Sequence, residues 1–256
     1  MSAYPEALPP GPVDQYDNQP PLTPVERSLN MFYAPTKTFA DLRRNRSWWL
    51  PFLILTLFGY LFTTTALMKV GPRGLAEGSI RNNPTQAEKM QNASPEDRAK
   101  MINYTAIAMK ASLMGWPVFM LVFGAIASLL LWVGFNFILG GSATFPGMFA
   151  VTMFAFLPGI LRSVLASAVI LFGDTENFNL NDPIGTNPGF YLGSDASVFL
   201  KTLLSSIDLF GLWALILMAV GGAIVARVKV RNGVLMVGIV WLLFVVGKAA
   251  IVAAMS

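Results

Sequence analysis

Residues 116–139 read WPVFMLVFGAIASLLLWVGFNFIL, an apolar run uninterrupted by any Asp, Glu, Lys or Arg. The hydrocarbon core of a bilayer is about 30 Å thick and an α-helix rises about 1.5 Å per residue, so a crossing needs roughly 20 such residues. The stretch is a membrane span, and four more lie around it. Gly140 and Gly141 end it, and Thr144 and Pro146 open a third span over 146–172. A connection this short forces an antiparallel hairpin. A fourth run covers 198–226 and a fifth 233–255, joined by the basic turn Arg227, Lys229, Arg231. Upstream, the first span occupies 48–70. The expected fold is all-α, a polytopic membrane bundle of five transmembrane helices, with the lipid bilayer as its first partner. No internal repeat is visible, and an odd number of spans does not favour an inverted duplication.

Composition agrees with the bilayer as solvent. Of 256 residues 54% are hydrophobic and 12% charged, with a mean hydropathy of +0.57. A soluble domain is about one quarter charged. The chain has neither cysteine nor histidine. That removes disulfides, thiolate nucleophiles, Ser–His and Cys–His dyads, the usual zinc ligand sets and histidine-ligated haem. No set of Asp and Glu stands at ligand spacing, so no metal, no cofactor and no enzymatic activity is expected. The formal net charge of +4 is modest, and no nucleic-acid partner is expected.

Residues 1–24 are polar and Pro-rich, with Pro5, Pro9, Pro10, Pro12, Pro20, Pro21 and Pro24. They lack a basic stretch leading into an apolar core, so they do not read as a signal peptide. Their composition suits a disordered tail, and a polyproline ligand for a soluble partner is the sharper alternative. The segment 25–47 is amphipathic. Thr23, Pro24 and Glu26 make a helix start with a capping box. Leu29, Phe32 and Tyr33 share a face, and Pro35 interrupts. Phe39 and Leu42 then lie opposite Lys37, Arg43, Arg44 and Arg46. Trp48 and Trp49 stand at the entry to the first span. Basic residues beside an apolar stripe, then a Trp pair, read as an interfacial helix on anionic lipid headgroups. Arg43, Arg44, Arg46, Trp48 and Trp49 are the expected membrane-surface contacts. A short linker helix packed on the protein's own spans is an equal alternative, and the two can coexist.

Orientation follows from charge. Cytoplasmic loops are enriched in Lys and Arg. The N-terminal flank and the 227–231 turn share one side by parity and are basic. The loop 173–197, on the other side, carries Asp174, Glu176, Asp182 and Asp195 and no Lys or Arg. Loop 71–110 lies with it, although it holds Arg73, Arg81, Lys89, Arg98 and Lys100; within it Ser94, Pro95, Glu96 and Asp97 start a helix that continues into the second span. The expectation is a cytoplasmic N-terminus and an outward C-terminus in the cell (cytoplasmic) membrane, or in a Golgi or ER membrane in a eukaryote.

Several short motifs occur in a set order: Met31-Phe32-Tyr33-Ala34-Pro35-Thr36-Lys37-Thr38-Phe39, Trp48-Trp49-Leu50-Pro51-Phe52, Gly140-Gly141-Ser142-Ala143-Thr144-Phe145, Phe156-Leu157-Pro158 and Asp208-Leu209-Phe210-Gly211-Leu212-Trp213. In that order the chain resembles the Yip-domain family, named for Ypt (Rab) interaction, and its bacterial branch most, over about residues 28–250. The resemblance implies five spans with a cytoplasmic N-terminus. For eukaryotic members it implies binding of prenylated Rab GTPases and vesicle traffic, roles not carried over to the bacterial branch. The Pro-rich tail departs from the family core.

Three functional classes follow. A non-enzymatic scaffold or adaptor, binding a membrane or cytoplasmic protein partner or organising the membrane, fits the interfacial segment and the tail; a homo-oligomer is compatible with it. A small transporter or ion/proton channel would use the ionisable residues inside spans, Arg162, Asp208 and Lys248. A membrane-embedded enzyme would need carboxylates or a Ser–Lys pair, which Ser163 and Ser167 beside Arg162 do not form. Arg162 precedes the end of the third span by ten residues, and Asp208 follows the start of the fourth by ten. Both are thus expected about 15 Å below the outer surface, facing each other as a structural ion pair or as a proton or ion site. Pro158 is the expected helix kink; it frees the carbonyl of Phe154.

Overall fold

The computed structural model describes residues 20–173, 179–180, 182–193 and 196–254. Five helices have the length and hydropathy to cross a bilayer: Trp49–Lys69, Trp116–Ile138, Phe145–Phe172, Leu209–Ala226 and Val230–Ala254. The protein is an all-α multi-pass membrane bundle, with no strand among the described residues. Two short helices, α1 (Pro24–Tyr33) and α2 (Pro35–Leu42), precede the first span, α3 (Trp49–Lys69). Helices α4 (Gly71–Arg81), α5 (Pro84–Asn92) and α6 (Pro95–Met114) fill the first connection. The second span is α7 (Trp116–Val133), closed by a π-turn at Gly134–Ile138. The third is α8 (Phe145–Ala155) followed by α9 (Gly159–Phe172). Then come α10 (Val198–Ser205), the fourth span α11 (Leu209–Ala226) and the fifth, α12 (Val230–Ala254).

Local chemistry explains the breaks. The Ser94 hydroxyl accepts the Asp97 N–H at 3.2 Å and starts α6, which is separated from α7 by Gly115 alone. Pro158 has no N–H to offer Phe154, whose carbonyl instead accepts from Leu157 at 3.1 Å, and this tightened turn parts α8 from α9. The fourth span differs from the continuous helix expected over 198–226. Asp208 adopts an extended conformation, and its carboxylate accepts the Gly211 N–H at 2.9 Å. A short acidic side chain that caps a new helix ends the preceding one, so α10 stops at Ser205 and the span begins at Leu209. Helix α10 packs instead on α12 and on the turn Pro188–Tyr191.

The segment 25–47 also departs from a helix lying flat on lipid. Helices α1 and α2 form an antiparallel hairpin packed on α11, α8 and α3. The Thr38 hydroxyl donates to the Arg27 carbonyl at 2.8 Å, tying the two arms together. Phe39 is fully buried and its ring occupies the space that a Cβ on Gly221 would need. Phe32 meets Trp213 edge-on, ring centroids 6.1 Å apart. Counting along α11 from Ala226, Gly221 lies roughly 8 Å and Trp213 roughly 20 Å along the helix. The turn at Ala34 therefore points into the bundle, and the hairpin is re-entrant. Irregular backbone at such a depth is tolerated where protein covers it. Phe39 and Leu42, expected among headgroups, belong to the protein core, whereas Val25, Leu29 and Tyr33 remain exposed on the opposite face of α1. The alternative of packing on the protein's own spans thus describes the inner face of the hairpin.

Candidate functional site

Polar chemistry gathers at three places, the first inside the hairpin. Arg27 Nε donates to Asp41 Oδ2 at 2.6 Å, and the two side chains are 1% and 2% exposed. Arg44 Nη2 donates to Asp41 Oδ1 at 2.9 Å from a position one-third exposed. One carboxylate thus neutralises a buried guanidinium and one that is one-third exposed. At the head of α1 the capping box is present: Thr23 N–H donates to Glu26 at 2.7 Å and Glu26 N–H to the Thr23 hydroxyl at 3.2 Å. The Thr23 backbone bond, then its side-chain bond, holds the Glu26 carboxyl below its ordinary value.

The second place is the turn 140–144 between the second and third spans. Gly140 has φ +67°, a left-handed conformation that suits glycine. A Cβ on Gly141 would stand 2.8 Å from the Phe135 carbonyl and 2.9 Å from Ala226 Cβ, so only glycine fits. The π-turn that ends the second span aims Asn136 at this turn. Its amide donates to the Ala143 carbonyl and accepts the Ala143 N–H, both at 2.8 Å. Trp132 Nε1 adds a bond to the same carbonyl at 3.1 Å, and Ser142 N–H donates to Ala226 at 3.1 Å. Thr144 caps α8 by accepting from Gly147. Beside this turn lies a recess of about 190 Å³ lined by Arg43, Arg46, Arg227, Ser142 and Thr144. Arg227 closes α11 with φ +60°, ψ +38°. A non-glycine residue there costs about 1 kcal/mol, and glycine is usual at such a helix end.

The third place is the opposite face, where residues 182–193 fold back over the bundle. Ile184 is buried with Ala166 and Phe210. The Asn187 amide donates to Asp182 at 2.8 Å, and the Thr186 hydroxyl donates to Asp208 Oδ2. Burial pushes the Asp182 carboxyl above its ordinary value; Asn187, Arg162 and Lys201 pull it back, and Asp208 raises it. Arg162 and Asp208 share this neighbourhood but form no ion pair, and the separation has a cause. Capping α11 commits one Asp208 oxygen to Gly211, and Thr186 takes the other. Their depth also differs from mid-bilayer. A Cβ on Gly147 would touch Val225, which sets the two helices level at that point. From there Arg162 lies roughly 22 Å and Asp208 roughly 25 Å along their helices, near the far boundary of the hydrocarbon. Arg162 also borders an apolar recess of about 610 Å³ between α3, α7 and α9.

Of the expected surface residues, Trp48 packs edge-on against Phe149 at 5.0 Å and is half-buried, while Trp49 is exposed. Arg43 and Arg46 line the recess, and Arg44 pairs with Asp41. Sequence reading missed Arg27, Asp41 and Asn136. The capping box marked α1, but nothing in the order of residues says that positions 27 and 41 meet.

A five-span helical bundle with a re-entrant hairpin on one face and a folded loop on the other defines a polytopic membrane protein. The Yip1 domain model matches residues 29–251, and the chain belongs to that family. Comparison with curated proteins and with solved structures gives no match.

Proposed function

We propose that this chain is a non-enzymatic scaffold or adaptor of the cytoplasmic membrane, with its N-terminus in the cytoplasm, that presents the N-terminal hairpin to a protein partner and to anionic lipid. The observation that carries the reading is the division of labour on α1. Its inner face is fixed by Arg27, Asn30 and Met31, all buried, while Val25, Leu29 and Tyr33 recur every four residues on the outer face, where they are 59%, 54% and 74% exposed. A rigidly held apolar stripe at this spacing suits docking by a membrane-embedded helix or segment. The Pro-rich tail up to residue 19 lies outside the described residues. Arg43, Arg44, Arg46, Trp48 and Trp49 supply the membrane-surface contacts of this reading.

The alternative, a small transporter or ion/proton channel using Arg162 and Asp208, is disfavoured because both Asp208 oxygens are engaged. We read those two residues as structural, Asp208 as a helix cap. The test is a photo-crosslinking residue at Leu29 in native membranes. A discrete protein adduct, lost when Val25 and Tyr33 are both changed to Ser, is the expected result. Adducts to lipid alone would refute the adaptor reading.

A further inference from the structure

The recess beside the turn 140–144 is built like a receptor for an anion. It draws on separate parts of the chain: Arg43 and Arg46 follow α2, Ser142 and Thr144 belong to the turn, and Arg227 ends α11. Arg46 and Arg227 form no ion pair among the described residues. The nearby acid Asp41 is committed to Arg27 and Arg44. The arginines also gather at the N-terminal end of α8, where the peptide dipoles already present partial positive charge. The guanidinium groups of Arg46 and Arg227 at such a point repel one another and the helix end. A bound anion reverses the sign of every one of those interactions.

Rigidity points the same way. Asn136 and Trp132 immobilise Ala143, Ser142 N–H is tied to Ala226, and Gly141 admits no side chain. The two hydroxyl-bearing residues are thus set in place before any ligand arrives. Arg227 sits in a left-handed conformation where glycine would be relaxed, so its side chain is kept at a cost to the backbone.

We propose that this recess binds a phosphate group, held by Arg43, Arg46 and Arg227 with the Ser142 hydroxyl as a further donor. Guanidinium forks match tetrahedral oxyanions through paired charge-assisted bonds, and a recess of about 190 Å³ has room for a phosphoryl group with a short ester stem. The phosphate comes either from a membrane lipid headgroup or from a free phosphate ester at the membrane surface.

The experiment uses the full chain purified in detergent. One arm counts retained phosphatidic acid against phosphatidylcholine by native mass spectrometry. The other titrates inorganic phosphate and glycerol 3-phosphate in lipid-free detergent. Arg227→Gly and Arg46→Ala are the test variants, and Lys229→Ala, on the same face outside the recess, is the control. Arg227→Gly relaxes the backbone, so it stays folded, and its loss of binding reports the side chain alone. The expected result is about a tenfold loss of binding in both variants, in whichever arm binds, with the control unchanged. Preference for phosphatidic acid alone assigns a lipid headgroup; binding of the soluble esters assigns a free phosphate. No binding in either arm, or equal loss in the Lys229→Ala control, overturns the proposal.

Discussion

Asp41 offers the sharpest test of how the hairpin is held. Its carboxylate is the hydrogen-bond partner of Arg27, 2.6 Å away, and Arg27 Nη1 has no partner among the described residues. Asp41→Leu would leave a guanidinium that is 1% exposed without its carboxylate partner. Stranding one member of a buried pair costs about 3–5 kcal/mol, a large part of a typical protein's stability. Arg27→Met should cost less, because Asp41 keeps Arg44 at 2.9 Å and Arg44 is one-third exposed. The double variant should recover most of the loss, since apolar residues of similar volume often replace a buried pair at little cost. The order of stability should be wild type, double variant, Arg27→Met, Asp41→Leu. The assay is the midpoint of unfolding in mild detergent, read by the loss of monodisperse protein with temperature. If Asp41→Leu is no worse than Arg27→Met, or if the double variant is no better than Asp41→Leu, the pair does not hold the hairpin.

Gly221→Val should undock the hairpin as well, because its side chain would occupy the space of the Phe39 ring; protease cleavage between α2 and α3 should rise, and unchanged cleavage would contradict the packing. Asp182 sits above the ordinary aspartate value of 3.8, so its ionised form costs stability at neutral pH, and that cost disappears as pH falls through the raised value to the ordinary one. Protection of loop 182–193 from protease should therefore increase on acidification, and Asp182→Asn should be protected at neutral pH and flat with pH. Asp208→Asn, which can still cap α11, should change stability by less than about 1 kcal/mol, and a double-mutant cycle with Arg162→Leu should show coupling below about 0.5 kcal/mol because the two do not touch. Orientation is testable in this Cys-free chain: with an impermeant thiol reagent on whole cells, Tyr191→Cys should label and Lys229→Cys should not, and the reverse pattern would invert the topology.

The apolar runs carried the architecture because a bilayer demands long uninterrupted helices, and nothing else in this composition meets that demand. Helix starts were equally legible. Thr23, Ser94 and Thr144 each cap where a hydroxyl precedes Pro or an acidic residue. What could not be read was which face of the 25–47 segment is buried, and against what. An amphipathic stripe has the same pattern whether it meets lipid or a neighbouring helix. Deciding between them needed the distant pair Arg27 and Asp41, whose mutual neutralisation lets the inner face enter protein, and the glycine at 221 that makes room for Phe39. The recess at the turn 140–144 was hidden for the same reason: Arg43, Arg46 and Arg227 meet only once α2 and α11 are packed together.

Asp208 shows how a charge in an apolar run can mark a boundary and not a pathway. Read as part of one continuous helix, it falls at mid-bilayer, where an unpaired carboxylate would be very costly and a function would be the natural explanation. Asp also competes with helix continuation through its own side chain, and here that local tendency prevails over the continuity of the apolar pattern. The result is an 18-residue span, Leu209–Ala226, with Asp208 at its positive end and Arg227 at its negative end. Both charges then complement the helix dipole. About 28 Å separates them along the axis, close to the thickness of the hydrocarbon core. The two residues measure the membrane, and on the N-terminal face Arg46 and Arg227 form no ion pair among the described residues.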